Sequence, residues 1–295
     1  MSKEKVLVTG GAGFIGFHTT EKLIEKGYEV TVFDNLSTGN IRNLFHKNAD
    51  VKFILGDLRI VSDVENAVKD KDYIIHLGAC LSVPESMTKP ELYQDTNVQG
   101  TFNLLHSASK TNVKKVVLAS SCAVEGDSYY GLSKKITEDI ANWFIINSKL
   151  STACLRYVNV YGERQAVVGE GAVVPAFINL LLNKESPIVH GNGLQTRDYI
   201  YVKDVADANV HAIENDFTGI TYIATNSETS VLTLLRAIKT LMNVDIPHIY
   251  KPRREGDMMN VGIHYPKKEF KWEPQFTLEE GLKKTIEWLK NEKQS

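Results

Sequence analysis

Short apolar runs alternate with amphipathic stretches through the first half of the chain. Val6-Leu7-Val8, Glu29–Phe33, Phe53-Ile54-Leu55, Tyr73–Leu77 and Val116–Ala119 predict strands. Between them, Phe14–Lys26, Ser62–Lys69, Glu91–Lys110 and Tyr130–Ser148 carry apolar positions at helical spacing. Strands separated by helices predict an α/β fold, a Rossmann-type doubly wound parallel sheet. The strands read as continuously apolar, as strands covered on both faces must. Beyond about Tyr161 the pattern loosens. Helices are expected at Val173–Leu182, Asp204–Glu214, Val231–Leu241 and Leu278–Asn291, with short extended pieces between them. The segments Val168–Gly171 and His190–Gly193 are expected as loops. The reading is a sheet domain over 1–160 and a smaller C-terminal α/β lobe over 161–295, with some late segments returning to the sheet domain.

The strand–turn–helix at the start carries the first chemistry. Gly11, Gly13 and Gly16 fit G-x-G-x-x-G, with Gly10 just before them. The run follows a strand and opens a helix, the context that makes the motif informative. Glycines permit a tight turn and close approach to a pyrophosphate, and the helix N-terminus supplies unpaired amides. The second strand runs into Asp34, eighteen residues after Gly16. An acid there accepts hydrogen bonds from a ribose 2′-hydroxyl and repels a 2′-phosphate, which favours NAD over NADP. Asp57, after the third strand, is a candidate adenine contact. A helix-capping role for it is nearly as plausible.

Tyr130-Gly-Leu-Ser-Lys134 places a phenol and an ammonium on one helix face. A phenol has a pKa near ~10. A neighbouring lysine charge lowers it toward use as a base at neutrality. Ser121 and Ser120 stand at the end of the preceding strand, where a hydroxyl can reach a substrate oxygen or merely cap the strand.

Composition narrows the classes of partner. Net charge is −2, with 43% hydrophobic and 24% charged residues. There is no basic excess to suggest nucleic acid or an anionic membrane. No stretch is long enough to predict a membrane span, and the N-terminal apolar run is too short for a signal peptide. Cys80, Cys122 and Cys154 form neither a disulfide framework nor a metal pattern, so no metal is expected and a cytoplasmic setting fits best.

Seven motifs in order resemble the extended short-chain dehydrogenase/reductase family, in its NAD-dependent epimerase/dehydratase branch. They are Thr9–Gly16, Asp34–Gly39, His76-Leu77-Gly78-Ala79, Asn97–Thr101, Leu155–Gly162, Gln195–Tyr199 and Arg254–Asp257. The likeness covers essentially the whole chain and is nearest to the UDP-hexose 4-epimerases. It implies Ser121, Tyr130 and Lys134 as catalytic residues. It implies an NAD site of Gly10, Gly13, Phe14, Ile15, Gly16, Asp34, Asn35, Ser37, Thr38, Gly39, Asp57, Leu58, Leu77, Gly78, Ala79, Asn97 and Tyr157, together with Tyr130 and Lys134. It implies substrate contacts at Ser82, Ser121, Asn159, Arg197, Arg254 and Asp257. Val261 falls where the family limits room at the sugar's C2 substituent, and its moderate size favours tolerance of an N-acetyl group as well as a hydroxyl. Arginine forks suit a diphosphate. The implied reaction is 4-epimerisation of a UDP-sugar through a 4-keto intermediate. The implied assembly is a homodimer through the helices Glu91–Lys110 and Tyr130–Ser148.

The chain departs from this family in one place. Only Cys122 to Tyr129 separate Ser121 from Tyr130, where the family carries a longer segment, and Glu125 stands where the family tends to have tyrosine. A more open sugar site is expected, because loop cover that excludes water strengthens the electrostatics of such sites. Ser121-Cys122-Ala123 has no acid beside the serine, which disfavours a dehydratase. Two alternatives stay open: another sugar-nucleotide-modifying enzyme (a reductase/epimerase or a decarboxylase), or a cofactor-binding protein with little turnover.

Overall fold

The computed structural model describes residues 3–45, 51–148, 150–167, 172–253 and 269–293. The chain falls into two compact units. One takes Met1–Tyr157, Val205–Ile223 and Lys267–Trp272, and the other Val158–Asp204, Ala224–Pro266 and Glu273–Ser295.

The first unit is built on a seven-stranded sheet. Its strands are β1 (Lys5–Thr9), β2 (Glu29–Asp34), β3 (Lys52–Leu55), β4 (Tyr73–His76), β5 (Lys115–Ser121), β6 (Ser151–Tyr157) and a late strand, Gly219–Ile223. Their order is Gly219–Ile223, β6, β5, β4, β1, β2, β3. All neighbours are parallel. The chain order reverses where β1 lies between β2 and β4, the point at which doubly wound sheets bind ligands beyond their C-terminal strand ends. Helices cover the strands on both faces, so Val6, Leu7, Val8, Ile74, Ile75, Val116 and Val117 are all completely buried. Each such side chain contributes about 1.5–3 kcal/mol of burial. Leu104 and Leu105 from the helix Gly100–Ser109 and Phe144 from the helix Tyr129–Ser148 join Leu7, Phe33 and Ile74 in one cluster.

The expected helix Glu91–Lys110 is three segments: a turn Pro90–Tyr93, a π-helical stretch Gln94–Gln99, and the α-helix Gly100–Ser109. A π turn carries one extra residue, and apolar spacing alone does not reveal it. A short helix, Val83–Thr88, also precedes it and had no expectation; its N-cap is Ser82, whose Oγ accepts the Glu85 amide.

The second unit holds two small sheets. One runs Glu228–Ser230, Thr196–Tyr201, Asn159–Tyr161, and the other pairs Ile188–His190 with Ile249–Lys251. Its helices are Val173–Leu182, Val231–Met242 and Leu278–Glu292. The last begins with a reciprocal box between Thr277 and Glu280. The helix Val202–Glu214 begins in this unit and runs on into the first. Among the described residues, no helix is long and apolar enough to cross a membrane.

Candidate active site

The glycine turn joins β1 to the helix Phe14–Glu25. Gly10 adopts φ +66°, a conformation that favours glycine. A Cβ on Gly10 would lie 2.7 Å from the Gly78 nitrogen, and one on Gly16 would lie 2.1 Å from the Gly10 carbonyl oxygen. The turn therefore packs backbone on backbone against the end of β4. Gly13 is the N-cap and has no side chain to satisfy the first helical amides. Those amides, at Phe14, Ile15 and Gly16, are the donors a pyrophosphate needs. Asp34 is buried at the end of β2. Its carboxylate accepts the Ala12 amide at 3.0 Å and the Leu36 amide at 2.8 Å. Each oxygen keeps a lone pair for a sugar hydroxyl. A glycine cradle, an uncapped helix start and a buried acid together fit NAD.

The surrounding loops hold this edge in place. Asn35 Oδ1 accepts the Ser37 amide, and its Nδ2 donates to Asp57 at 3.1 Å. Asp57 also accepts two hydrogen bonds from the Arg59 guanidinium, which hold its carboxyl well below the usual range. It does not cap the following helix, whose N-cap is Ile60. Thr38 is exposed and Gly39 half-buried in the same loop, and Leu58 is buried, its side chain next to Gly78 and Gly100. Leu77 donates its amide to Thr9 O, and Gly78 its amide to Thr9 Oγ1. Ala79 follows them, half-buried. Asn97, on the π-helical stretch, spends its amide on Cys80 and on Ser133 Oγ, with all three bonds at 2.8–3.0 Å. It thereby ties the β4 loop to the tyrosine helix.

That helix, Tyr129–Ser148, is fastened to the end of β5 at successive points. Lys134 Nζ donates to the Ala119 carbonyl at 2.8 Å, and Ser120 Oγ donates to Glu138 at 2.6 Å. At Gly131 a Cβ would sit 2.1 Å from the Ala123 carbonyl oxygen. The glycine after Tyr130 is thus what lets the short connection lie directly on the helix. The connection begins with a 3₁₀ turn, Cys122–Glu125, capped by Ser121, whose Oγ accepts the Ala123 amide at 3.1 Å. Tyr130 is held through its backbone, since its amide donates to the buried Ser86 Oγ at 3.0 Å. Its ring meets Tyr93 edge-on, 6.5 Å between centroids. Lys134 is buried, and desolvation pushes its ammonium down to about 8. Ala119 takes one of its three donors. The structure thus brings the neighbourhoods of Ser121, Tyr130 and Lys134 together at one strand end.

The remaining candidates are placed as follows. Ser82 caps the helix Val83–Thr88 and accepts Tyr93 OH at its carbonyl. Tyr157 is buried and donates its hydroxyl to Asn209 at 2.6 Å. Asn159 and Arg197 lie in the second unit on neighbouring strands, where Asn159 pairs with Tyr199, two residues from Arg197. They therefore share a sheet face. Arg197 donates to the Thr196 carbonyl at 2.8 Å. Arg254, Asp257 and Val261 lie outside the described residues, as does the expected loop at 168–171. Sequence reasoning did not find Ser86, or the cluster Glu138, Arg156 and Tyr222 beside Ser120. Only strand register brings that cluster together.

The chain is similar over nearly its whole length to several known proteins. A Methanocaldococcus jannaschii protein, provisionally named a UDP-glucose 4-epimerase, is 40% identical across 97% of this chain and 98% of its own length. The structure of a UDP-N-acetylglucosamine 4-epimerase from Methanobrevibacter ruminantium, solved with UDP-N-acetylmuramic acid, is 34% identical with a TM-score of 0.94, covering 99% of this chain and 100% of its own. That of a UDP-glucose 4-epimerase from Thermotoga maritima, solved with UDP-glucose, is 36% identical with a TM-score of 0.93, covering 98% and 99%. Residues 6–225 match the model of the NAD dependent epimerase/dehydratase family, and the chain belongs to that family.

Proposed function

We propose that the protein interconverts C4 epimers of a UDP-hexose, glucose and galactose or their N-acetyl forms, with NAD. The observation that carries this is the helix Tyr129–Ser148 fastened by Lys134 and Gly131 to the strand end that bears Ser121. It stands in a chain similar over its whole length to 4-epimerases. Bound at the Gly10–Gly16 turn, NAD supplies a reversible hydride acceptor for C4.

Tyr130 takes the proton of the C4 hydroxyl and later returns one to the opposite epimer. The Lys134 ammonium stabilises the phenolate form. Ser121 Oγ already accepts the Ala123 amide, so its O–H is turned toward a second acceptor, the C4 oxygen. The first-turn amides and Asp34 hold the pyrophosphate and the ribose. Asn35, Asp57 and Leu58 border the adenine. Asn159, Arg197 and Arg254 take the nucleotide diphosphate, Asp257 holds the uridine ribose or braces Arg254, and Ser82 stands on the sugar side. Val261 admits both C2 substituents. Residues 1–160 are the NAD-binding domain, and 161–295 mainly the sugar-nucleotide lobe. The return of Gly219–Ile223 to the seven-stranded sheet supports the exchange of segments between them. Exposed Trp143 and Ile146 support a homodimer through the helices at 91–110 and 130–148. Three free cysteines fit a cytoplasmic setting.

Incubation with NAD and UDP-galactose or UDP-N-acetylgalactosamine, read by NMR, should give the C4 epimer. Tyr130→Phe should lower kcat by about 10²–10⁴-fold while NAD still binds. No epimer from any UDP-hexose, despite NAD binding, overturns the reading.

A further inference from the structure

The connection between Ser121 and Tyr130 is short, yet its first turn is anchored at the far end. Ser120 on β5 pairs with Arg156 on β6, and Arg156 pairs with Tyr222 on the next strand. These three residues form one row across three parallel strands and so share a sheet face. The face is the one covered by the helix Tyr129–Ser148, because Glu138 of that helix reaches the row. Glu138 is 1% exposed. It accepts Ser120 Oγ at 2.6 Å and both Arg156 Nε and Nη2 at 2.7 Å. Arg156 Nη1 donates to Tyr222 OH at 2.7 Å, and its guanidinium lies 5.1 Å from the Tyr222 ring centroid. Tyr222 OH in turn donates to Glu125 Oε1. Glu125 ends the 3₁₀ turn that Ser121 begins.

The chain therefore leaves β5 at Ser121, makes one turn, and is tied back two strands further along. A fixed turn holds the Ala123 amide on Ser121 Oγ. That bond leaves the serine proton one direction fewer in which to point. We propose that Glu125 and Tyr222 are positioning residues for Ser121, a polar strap that orders the active-site turn in place of a longer covering loop. This rests on Ser121 holding the substrate oxygen. Charge-assisted bonds from Arg156 through a phenol to a carboxylate are the stronger kind. The buried Glu138 keeps Arg156 from turning away.

The test uses the full chain with NAD. Glu125→Ala and Tyr222→Phe should each lower kcat about tenfold, the scale of a small misplacement of a reacting group. KM, NAD affinity and melting temperature should stay near wild type. The double variant should be no worse than either single one, because both break the same strap. Glu125→Gln, which keeps an acceptor oxygen, should recover most of the lost turnover. Amide hydrogen exchange over residues 122–129 should rise in Glu125→Ala and Tyr222→Phe. Single variants with wild-type kcat, or a double variant whose losses multiply, overturn the proposal. If the wild type turns over no UDP-hexose, the epimerase reading has failed. The strap is then judged on exchange alone, and unchanged exchange at the Ala123 amide overturns it.

Discussion

His76 connects one residue's environment to the stability of the whole site. It ends β4 directly before Leu77 and Gly78. Its Nδ1 lies 2.7 Å from Thr9 Oγ1 and its Nε2 lies 3.0 Å from Thr101 Oγ1. A neutral ring has one donor and one acceptor for two hydroxyls that can play either part. Burial, helped by the Lys134 charge, pushes its pKa down to about 3. The unfolded ring takes a proton near 6.5, so between about 6.5 and 3 the unfolded chain binds a proton that the native chain refuses. Native stability should therefore fall as pH drops through that window, by about 1.4 kcal/mol per unit from this group. Urea midpoints at pH 7 and pH 5 check this. His76→Gln should be less stable at pH 7 yet lose less on acidification. Equal acid sensitivity in the variant would show that the ring is protonated in both states.

At the scale of elements, much of the candidate site's scaffold is legible because it is local. A strand, a glycine turn and a helix follow one another within Lys5–Glu25, and Tyr130 and Lys134 share one helix. What escapes is what depends on distant partners. β6 carries Arg156 and Tyr157 as a strand that its polar start did not announce. The row Ser120, Arg156, Tyr222 exists only through strand register. Asn97 sits on a π turn, which alters helical phase without altering composition. Gly131 shows the limit from the other side. Within Tyr-Gly-Leu-Ser-Lys it reads as a neutral spacer, yet it is where the short connection rests on the helix. Gly131→Ala would normally favour a helix by about 1 kcal/mol. Here the added carbon meets Ala123 O at 2.1 Å. The variant should instead lose about 1–3 kcal/mol, as overpacked positions do. It should also lose turnover by displacing the turn at Ser121. Denaturant unfolding and kcat measure the two effects, and a stabilised, fully active variant would mean the turn yields freely.

For the whole molecule, the outward face of the helix Tyr129–Ser148 matters, because it presents large apolar side chains to solvent. Four apolar residues in a row, Trp143 to Ile146, fit core packing or a partner equally well in the sequence. The fold divides them. Phe144 is 2% exposed, packed in the core, whereas Trp143 is 56% and Ile146 67% exposed. They are three positions apart, and so neighbours on one helix face. Phe102, on the helix Gly100–Ser109, is 39% exposed and its ring lies 6.0 Å from that of Phe144. Large apolar side chains gathered on two adjoining helices mark an association surface more often than chance exposure does. The proposed homodimer through these helices would bury that face. Light scattering at micromolar concentration should give twice the mass of one chain. Trp143→Glu with Ile146→Glu should give a monomer with intact helical circular dichroism, because neither residue belongs to the core. Its melting temperature should lose the dependence on protein concentration that a dimer imposes. A wild type that runs as a single chain at all concentrations would remove the dimer and leave Trp143 and Ile146 as solvent-exposed residues.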